Sequence, residues 1–509
     1  MALARFTASA DTTIVNAFEE NLVTRGTGSN MGYADSLEVF SIYAQDSGSS
    51  GQSQELSRIL LNFPVSQISA SRAAGTIGAS GSAAFFLKLY NAKTPFTLPQ
   101  DYTLSVVPVS RPWQEGAGLD MDTYKDIGTA NWIKPNATSS WTRVGGDYRT
   151  ANNYNVSFPQ GYENLELNVT NLVEKWIAGT QTNYGIGIHL TGSQEAYFSS
   201  SLGGLGTGQS GSVLQNTLGA KQSYYTKRFF SRSTEFFFKR PILEVRWDDR
   251  ITDNREDCFY SSSLAPAADN LNRLYLYNYV RGRLVNIPKV STGNIRVSFY
   301  SGSATTPTGA KIRLPVGGGV AANNDTNATG SYTSRGIYYV DVALTAAATP
   351  LQKIYDVWHS GTVLYYTGSF FPDLMPTYDS APTFTRVTSC QNLKKSYSRR
   401  DTTRFRFFIR NKDWNPTLYT VATAVNPTDV IQSASYNIRR VTDNWNAVPY
   451  GTGSQYATYL SYDKKGNYFD FNMSLLEGGY MYELKLSYYN DSIGAWQEQP
   501  QTFKFRVEE

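Results

Sequence analysis

The sequence predicts an all-β protein of three β-sandwich domains, on three observations. Short apolar runs with a two-residue period recur between turns along the whole chain. Aromatic residues reach 14%, led by 36 Tyr, beside abundant Gly, Ser, Thr and Asn, the composition of pleated, turn-rich structure. Stretches rich in Ala, Leu, Glu and Lys, which would favour helix, are scarce. A length of 509 residues allows about three domains, expected at 1–250, 251–382 and 383–509.

In the first region the strand-like runs are Thr12–Val15, Ser36–Ile42, Arg58–Phe63, Ala83–Tyr90, Tyr102–Val109, Leu165–Val169, Gly185–Leu190 and Ile242–Trp247. The last is the run that closes the domain. Phe229–Phe238 before it is aromatic and basic. Pro241 cannot donate to a ladder and suits a strand's first residue or an edge. Ile242, Glu244 and Arg246 alternate with Leu243, Val245 and Trp247, a strand with one buried face. The charged segment Asp248–Asp257 then ends the domain. One helix is expected: Asn171 caps it with Glu174 three residues on, Leu172, Val173, Trp176 and Ile177 share a face, and Gly179 stops it. It reads as a short lid on the sandwich.

In the second region, 271–287, 293–302, 336–344 and 353–366 are strand-like and rich in Tyr and Val. They predict an immunoglobulin-like sandwich. The proline-punctuated segment Phe370–Pro382 marks the next junction. Beyond it RFRFFIRN, SASYNIRRV, ATYLSYD, YFDFNMSL, MYELKLSYYN and FKFRVEE all alternate, which predicts a second immunoglobulin-like sandwich.

Composition narrows the function. Net charge is +4, too small to argue for nucleic acid. Two cysteines, Cys258 and Cys390, exclude a disulfide scaffold and are expected as free thiols. No apolar run approaches bilayer length. The N-terminus MALARFTASADTTIVNAF lacks the apolar core of a secretory signal. The expectation is a protein made without standard export, reaching the outside by lysis or inside a particle.

Several motifs occur in a fixed order: ADTTI (10–14), a turn at Gly32, RILLNF (58–63), FFLKLY (85–90), WQEGAG (113–118) with ANWIKP (130–135), LNVTNLVEKWIAG (167–179), NYGIGI (183–188), FFSR (229–232) and RPILEV (240–245). The series resembles the DNRLRE-type domain, a jelly-roll β-sandwich related to carbohydrate-binding modules. It departs from that pattern by long inserts at 48–54, 138–154 and 202–225. The stretch 226–249, continuing into 262–282, also resembles virion structural proteins of tailed bacteriophages. That resemblance implies a protein of the virion, assembled in the host cytoplasm in the neck, collar, tail or fibre base. It implies other virion proteins as partners and a homo-oligomeric ring or fibre-base assembly; no nucleic acid is expected, since Asp and Glu nearly balance Lys and Arg. A host-glycan-binding adhesin is the alternative, and a glycan depolymerase comes third.

No catalytic residues are expected. His189 and His359 lack Cys or His neighbours, so neither a Zn site nor a His-based triad is supported. Ser210 in GTGQSGS lacks the nucleophile-elbow frame. Glu115 could pair with a second carboxylate in glycoside hydrolysis, but its plainer role is to pair an arginine or cap loop backbone. Asp120, Asp122 and Asp126 form a Ca²⁺ candidate without the glycine and final glutamate of an EF-hand; no other cofactor is expected. Trp113, Trp132 and Trp141, with Tyr148 and Tyr154, could stack on sugars or plug the sandwich end. Two basic, aromatic stretches are the interface candidates. One holds Lys394, Lys395, Arg399, Arg400, Arg404, Arg406 and Arg410. The other holds Lys227, Arg228, Phe230, Arg232, Lys239 and Arg240.

Overall fold

The structure, a computed structural model, describes residues 2–43, 54–95, 98–121, 129–199, 212–222, 224–260, 266–302, 305–312, 314, 327–344, 351–374, 385–418, 428–451 and 456–509. The alternating runs pair into mostly antiparallel sheets; the segment 396–398 joins 506–508 in parallel, as 259–260 joins 373–374. They fall into two compact units, one formed by Ala2–Asp248, the other by Asp249–Thr452 and Thr458–Glu509.

The N-terminal unit is a jelly-roll sandwich. Its strands are β1 (Leu3–Thr7), β2 (Ala10–Val15), β3 (Ser36–Tyr43), β4 (Gln54–Asn62), β5 (Ala83–Leu89), β6 (Tyr102–Pro108), β7 (Tyr154–Phe158), β8 (Leu165–Asn168), β9 (Ile186–Leu190), β10 (Tyr224–Phe230) and β11 (Ile242–Trp247). One sheet runs β1-β11-β5-β8. The other runs β10-β3-β4-β9-β6-β7, with β2 also paired to β4. The core between them takes alternate residues, such as Ile59 and Leu61 of β4, Phe85 and Leu87 of β5, and Leu243 and Val245 of β11.

β11 departs from expectation. It lies inside its sheet between β1 and β5, and Glu244 on its supposedly solvated face is 1% exposed. That charge is held by Arg5 at 2.8 Å, Arg246 at 2.6 Å and Lys88 at 3.5 Å. Burial alone would raise the carboxyl; the three cations outweigh it and hold it at about 2.

Two helices pack on the unit, α1 (Val65–Ala73) and α2 (Thr170–Ile177). The first was not expected, because Ile68 is its one buried side chain and no apolar stripe announces it. The second buries Leu172, Val173 and Trp176 in the core and ends before Gly179, whose φ is +72°. Asn171 is not its cap. Asn168 Oδ1 accepts from the Thr170 N–H and hydroxyl, and Thr170 Oγ1 accepts from Phe85 N–H, tying the helix start to β5. Glu174 serves the helix pair instead, taking a two-pronged bond from Arg72 at 2.6 and 2.7 Å.

The second unit holds two immunoglobulin-like sandwiches. The first contains β12 (Phe259–Tyr260), β13 (Leu271–Tyr277), β14 (Tyr279–Val280), β15 (Arg283–Leu284), β16 (Ile295–Ser301), β17 (Lys311–Ile312), β18 (Asn327–Ser334), β19 (Ile337–Ala343), β20 (Ile354–Ser360), β21 (Val363–Phe370) and β22 (Asp373–Leu374). The order is β13-β19-β18-β16-β20-β21, with β17 on β16. β18 pairs with β16 through Asn327–Gly330 and with β19 beyond it, so it passes from one face to the other. Gly330 stands at the crossing; a Cβ there would lie 2.9 Å from Ile295 Cγ2 and 3.0 Å from Tyr339 O. The junction expected at Phe370–Pro382 lies outside the described residues from 375 onward.

The second of these sandwiches contains β23 (Arg386–Cys390), β24 (Ser396–Ser398), β25 (Thr402–Asn411), β26 (Ala434–Arg440), β27 (Asn446–Val448), β28 (Ser461–Asp463), β29 (Gly466–Asn472), β30 (Met481–Asn490) and β31 (Ala495–Glu508). Its sheets, β23-β25-β29-β28 and β24-β31-β30-β26-β27, have the ABED and GFC order of immunoglobulin domains. Aromatic stacking fills the core: Tyr436 lies 3.8 Å from Phe469, and Phe405 lies 5.3 Å from Phe469 and 5.6 Å from Phe505.

Trp176 is 5% exposed, and its indole N–H is buried without a hydrogen-bond partner. Trp176→Ala should destabilise the N-terminal unit by about 3–5 kcal/mol. Trp176→Phe, which removes the orphan donor and keeps a ring, should stay within about 1.5 kcal/mol. Denaturant unfolding of both variants reads the difference. An unchanged midpoint for the alanine variant would mean that α2 is not part of the core.

Candidate functional site

Three of the ordered motifs meet at one point in the N-terminal unit. Glu115 of WQEGAG accepts Arg232 of FFSR through Nε at 2.8 Å and Nη2 at 2.5 Å, and accepts the backbone N–H of Asp11 of ADTTI at 2.7 Å. Asp11 Oδ2 in turn accepts the Arg232 N–H at 2.6 Å. Asp11 is fully buried and its Oδ1 lacks a hydrogen-bond partner. Burial pushes its carboxyl up to about 7 against the pull of the Arg232 N–H, and Glu115 beside it pushes the same way. Both Glu115 oxygens are engaged in holding this junction, and this is the plainer of its two roles. Phe230 and Arg232 therefore belong to a structural joint: Phe230 is half-buried, with its ring 5.4 Å from Phe236 and Lys239 4.8 Å above it.

The loop tryptophans are plugs. Trp132 is fully buried and donates to Ser212 O; Trp141 is buried and donates to Asn131 O; Trp113 is half-buried and donates to Tyr184 O. With Ile14, Leu56, Leu60 and Val109 they form a second apolar cluster under the loops that cover the outer face of the larger sheet. Trp132 and Trp141 have no ring face to offer a sugar, which corrects that reading.

Beside the plugs lies a cleft of about 770 Å³, whose lining includes Arg111, Arg143, Tyr148, Arg149, Asn153 and Asn216. Its floor is a buried ion pair: Arg58 meets Glu195 at 2.8 and 2.9 Å and also donates to Gly145 O. Tyr148 packs over Gly187, where a Cβ would come within 2.1 Å of its ring, and its hydroxyl donates to Gly145 O. His189 Nδ1 lies 2.6 Å from Leu190 O. Burial, then Arg58, keep the imidazole below its usual pKa, so the neutral ring donates to that carbonyl. The sequence marked Tyr148 and the insert 138–154 but not the cleft they line, because its residues come from five separated segments.

Most of the basic interface candidates are paired within the chain. Arg228 meets Glu38 at 2.5 Å. Arg404 meets Asp470 at 2.7 and 2.8 Å, and Arg406 meets Asp463 at 2.7 and 2.9 Å. Arg240 donates to Thr234 O, and Arg410 to Asn411 O and Lys412 O. Lys227 is 1% exposed, donates to Asn91 Oδ1, Gly161 O and Glu163 O, and is lowered by burial to about 8. Lys394, Lys395 and Arg400 are exposed and Arg399 is half-buried; they surround β24, an edge strand.

His359 lies in the other unit, with Nε2 2.8 Å from Ser298 Oγ and Nδ1 3.1 Å from Gly361 O. Of the Ca²⁺ candidates, Asp120 is half-buried, while Asp122 and Asp126 lie outside the described residues, as does Ser210. No metal-holding group of acidic, His or Cys side chains occurs among the described residues. Cys258 and Cys390 are free thiols, and burial pushes Cys258 up to about 12. No helix among the described residues is long and apolar enough to cross a membrane.

Fold and site define an all-β chain of sandwich modules, many of whose buried charges are held in ion pairs. No family model matches the chain, and no curated protein matches it. Among solved structures, the N-terminal Ig1-2 module of the Drosophila receptor protein tyrosine phosphatase DLAR aligns with 48% of this chain and 97% of its own, at 7% identity and a TM-score of 0.15. Tandem Ig repeats of Dlar align with 47% and 90%, at 9% identity and a TM-score of 0.13. Likeness at this level carries no argument about function.

Arg232→Ala leaves Asp11 and Glu115 together without their cation and should destabilise the unit by about 1.5–3 kcal/mol. Asp11 gives a pH test. Its folded pKa, about 7, lies above its ordinary 3.8, so its protonated form stabilises the fold at low pH. That contribution is lost as pH rises from about 4 to about 7. In thermal melts, Asp11→Asn should therefore gain on the wild type across that window; parallel curves would refute the assignment.

Proposed function

We propose that the chain is a structural, non-catalytic component of a tailed-bacteriophage particle, in the neck, collar, tail or fibre base. It acts through contacts with other virion proteins and with copies of itself in a ring or fibre-base assembly. The observation that carries this reading is the exposed basic rim of Lys394, Lys395 and Arg400 around the edge strand β24. Charge on a sheet edge blocks indiscriminate pairing while leaving the rim open to an acidic neighbour. The resemblance of residues 226–249 and 262–282 to virion proteins supports the setting.

Reversing the rim with Lys394→Glu, Lys395→Glu and Arg400→Glu should leave stability within about 0.5 kcal/mol. It should cut the protein content of assembled particles severalfold. Normal incorporation of the triple variant would reject the reading.

A second reading, a host-glycan-binding adhesin on the same particle, is favoured by the N-terminal cleft with Arg111, Arg149, Tyr148 and Asn153 on its walls. It does not draw on Trp132 or Trp141, which are buried. Particles carrying Arg149→Ala would then assemble normally and lose attachment. A depolymerase draws no support from Glu115, whose oxygens are bound by Arg232 and Asp11.

A further inference from the structure

The second unit contains a cleft of about 620 Å³ between its two sandwiches. One wall is aromatic: Tyr275, Tyr277 and Tyr279 follow each other at alternate positions from β13 into β14, with Tyr366 of β21 beside them. Tyr275 and Tyr277 are stacked at 6.0 Å, and Tyr279 is 55% exposed. The other wall is cationic, with Arg404, Arg406, Lys464 and Lys465. Both arginines sit over Tyr468, at 4.2 and 4.7 Å from its ring centre.

The base is built from a strap, Ile251–Arg255. Arg255 is 6% exposed and fixed by Asp356 at 2.6 and 2.7 Å and by Tyr275 O at 2.9 Å. Asp253 is 2% exposed. Its Oδ2 lies 3.6 Å from Arg255 Nε, while its Oδ1 has no hydrogen-bond partner. The Tyr277 hydroxyl is also buried and unpartnered. Two orphan polar groups under one wall of a cleft call for an explanation.

The side-chain chemistry selects among ligands. The guanidiniums of Arg255, Arg404 and Arg406 are each held two-pronged by Asp356, Asp470 and Asp463, so no free fork remains for a phosphate. The exposed ammoniums are Lys464, which also faces Glu256, and Lys465, at the mouth. A point charge of that kind takes a single anionic group such as a carboxylate and sets no two-pronged geometry. Tyrosine faces suit the C–H faces of a pyranose ring. Hydroxyl groups are both donors and acceptors, which matches an unpartnered carboxyl oxygen beside an unpartnered phenol. The volume suits a small ligand rather than an extended chain. Burial, only partly offset by Arg255, pushes Asp253 up to about 7, so this group can donate or accept near neutrality.

We propose that the cleft between the two immunoglobulin-like sandwiches is a binding site for a short acidic saccharide, with rings on Tyr279 and Tyr366, hydroxyls toward Asp253 and Tyr277, and the anionic group at Lys464 and Lys465. The site is independent of the N-terminal cleft and does not rest on the virion reading.

Calorimetric titration of the full chain tests it, with uronate-containing di- to tetrasaccharides, their neutral counterparts and inorganic sulfate as probes. The uronates should bind saturably and at least about tenfold more tightly than the neutral sugars, and salt should weaken them. Tyr279→Ala, and Lys464→Ala with Lys465→Ala, change exposed residues and should keep the melting temperature; each should weaken the uronate about tenfold or more. Arg335→Ala, at an exposed residue that lines neither cleft, should leave binding unchanged. Absence of saturable uronate binding would overturn the proposal. So would sulfate binding as tightly as the saccharide, or affinity that Arg149→Ala, in the N-terminal cleft, reduces and the Tyr279 and lysine variants do not.

Discussion

Arg255 carries a full positive charge at 6% exposure, and the second unit is arranged so that this charge is never alone. Taking a guanidinium out of water costs several kcal/mol unless its donors are met by a well-placed anion. Asp356, itself fully buried, meets it with both oxygens and takes the Trp358 indole N–H at 2.6 Å as well. The neighbours of Arg255 are thereby fixed. Asp253 N–H donates to Tyr462 O, Tyr462 N–H donates to Ile251 O, Asn254 reaches the Tyr462 hydroxyl, and Arg273 N–H donates to Asn254 Oδ1. A five-residue strap is thus bonded to β13 and β20 of one sandwich and to β28 of the next. The charge makes the joint, because any motion that parted Arg255 from Asp356 would leave two buried ions unpaired.

The same constraint shapes the N-terminal unit. A two-layer sandwich ordinarily leaves its outer faces to water. Here loops cover part of one outer face, and the polar residues on it go inside with them. Arg58 is buried with Glu195, and Asp11 is buried against a half-exposed Arg232. On the smaller sheet, Glu244 collects Arg5, Lys88 and Arg246. Much of the pairing is register. Arg5 stands opposite Glu244, Lys88 opposite Glu166, Arg228 opposite Glu38, Arg404 opposite Asp470 and Arg439 opposite Glu483. Opposite residues on neighbouring strands are the closest side chains in a sheet, so these salt bridges follow from the strand alignment itself.

This explains what could be read from the chain. The alternating apolar runs located most strands, and β11 and β30 match their expected bounds, because two-residue periodicity is local. The burial of Trp176 followed from spacing on one helical face. α1 was missed because a helix that buries one isoleucine carries almost no period. The cap expected at Asn171 was misplaced, since α2 starts at Thr170 after Val169, which offers no side-chain cap, and its start is tied down by Asn168 and by the contact of Thr170 with Phe85. The clefts were not legible as clefts, although Tyr148 of one and Arg404 and Arg406 of the other had been singled out, and the pairing of the basic stretches was not legible either. Arg228 and Glu38 are 190 positions apart by their residue numbers, and nothing at either position announces the other.

Register pairing also bears on where a partner can act. A basic stretch in sequence suggests a basic surface, yet here several of its arginines are met by carboxylates within the fold. Cations in turns have no opposite strand to meet them, and Lys394, Lys395 and Arg400 around β24, and Lys464 and Lys465 between β28 and β29, are exposed. Turn cations cost the fold little, since exposed charges contribute little to stability. They project from sandwiches that ion pairs and stacked aromatic rings hold in shape without a disulfide. A surface that can change without disturbing the core is one that can be fitted to a neighbour or a ligand, and the turns around β24 and between β28 and β29 carry such surfaces.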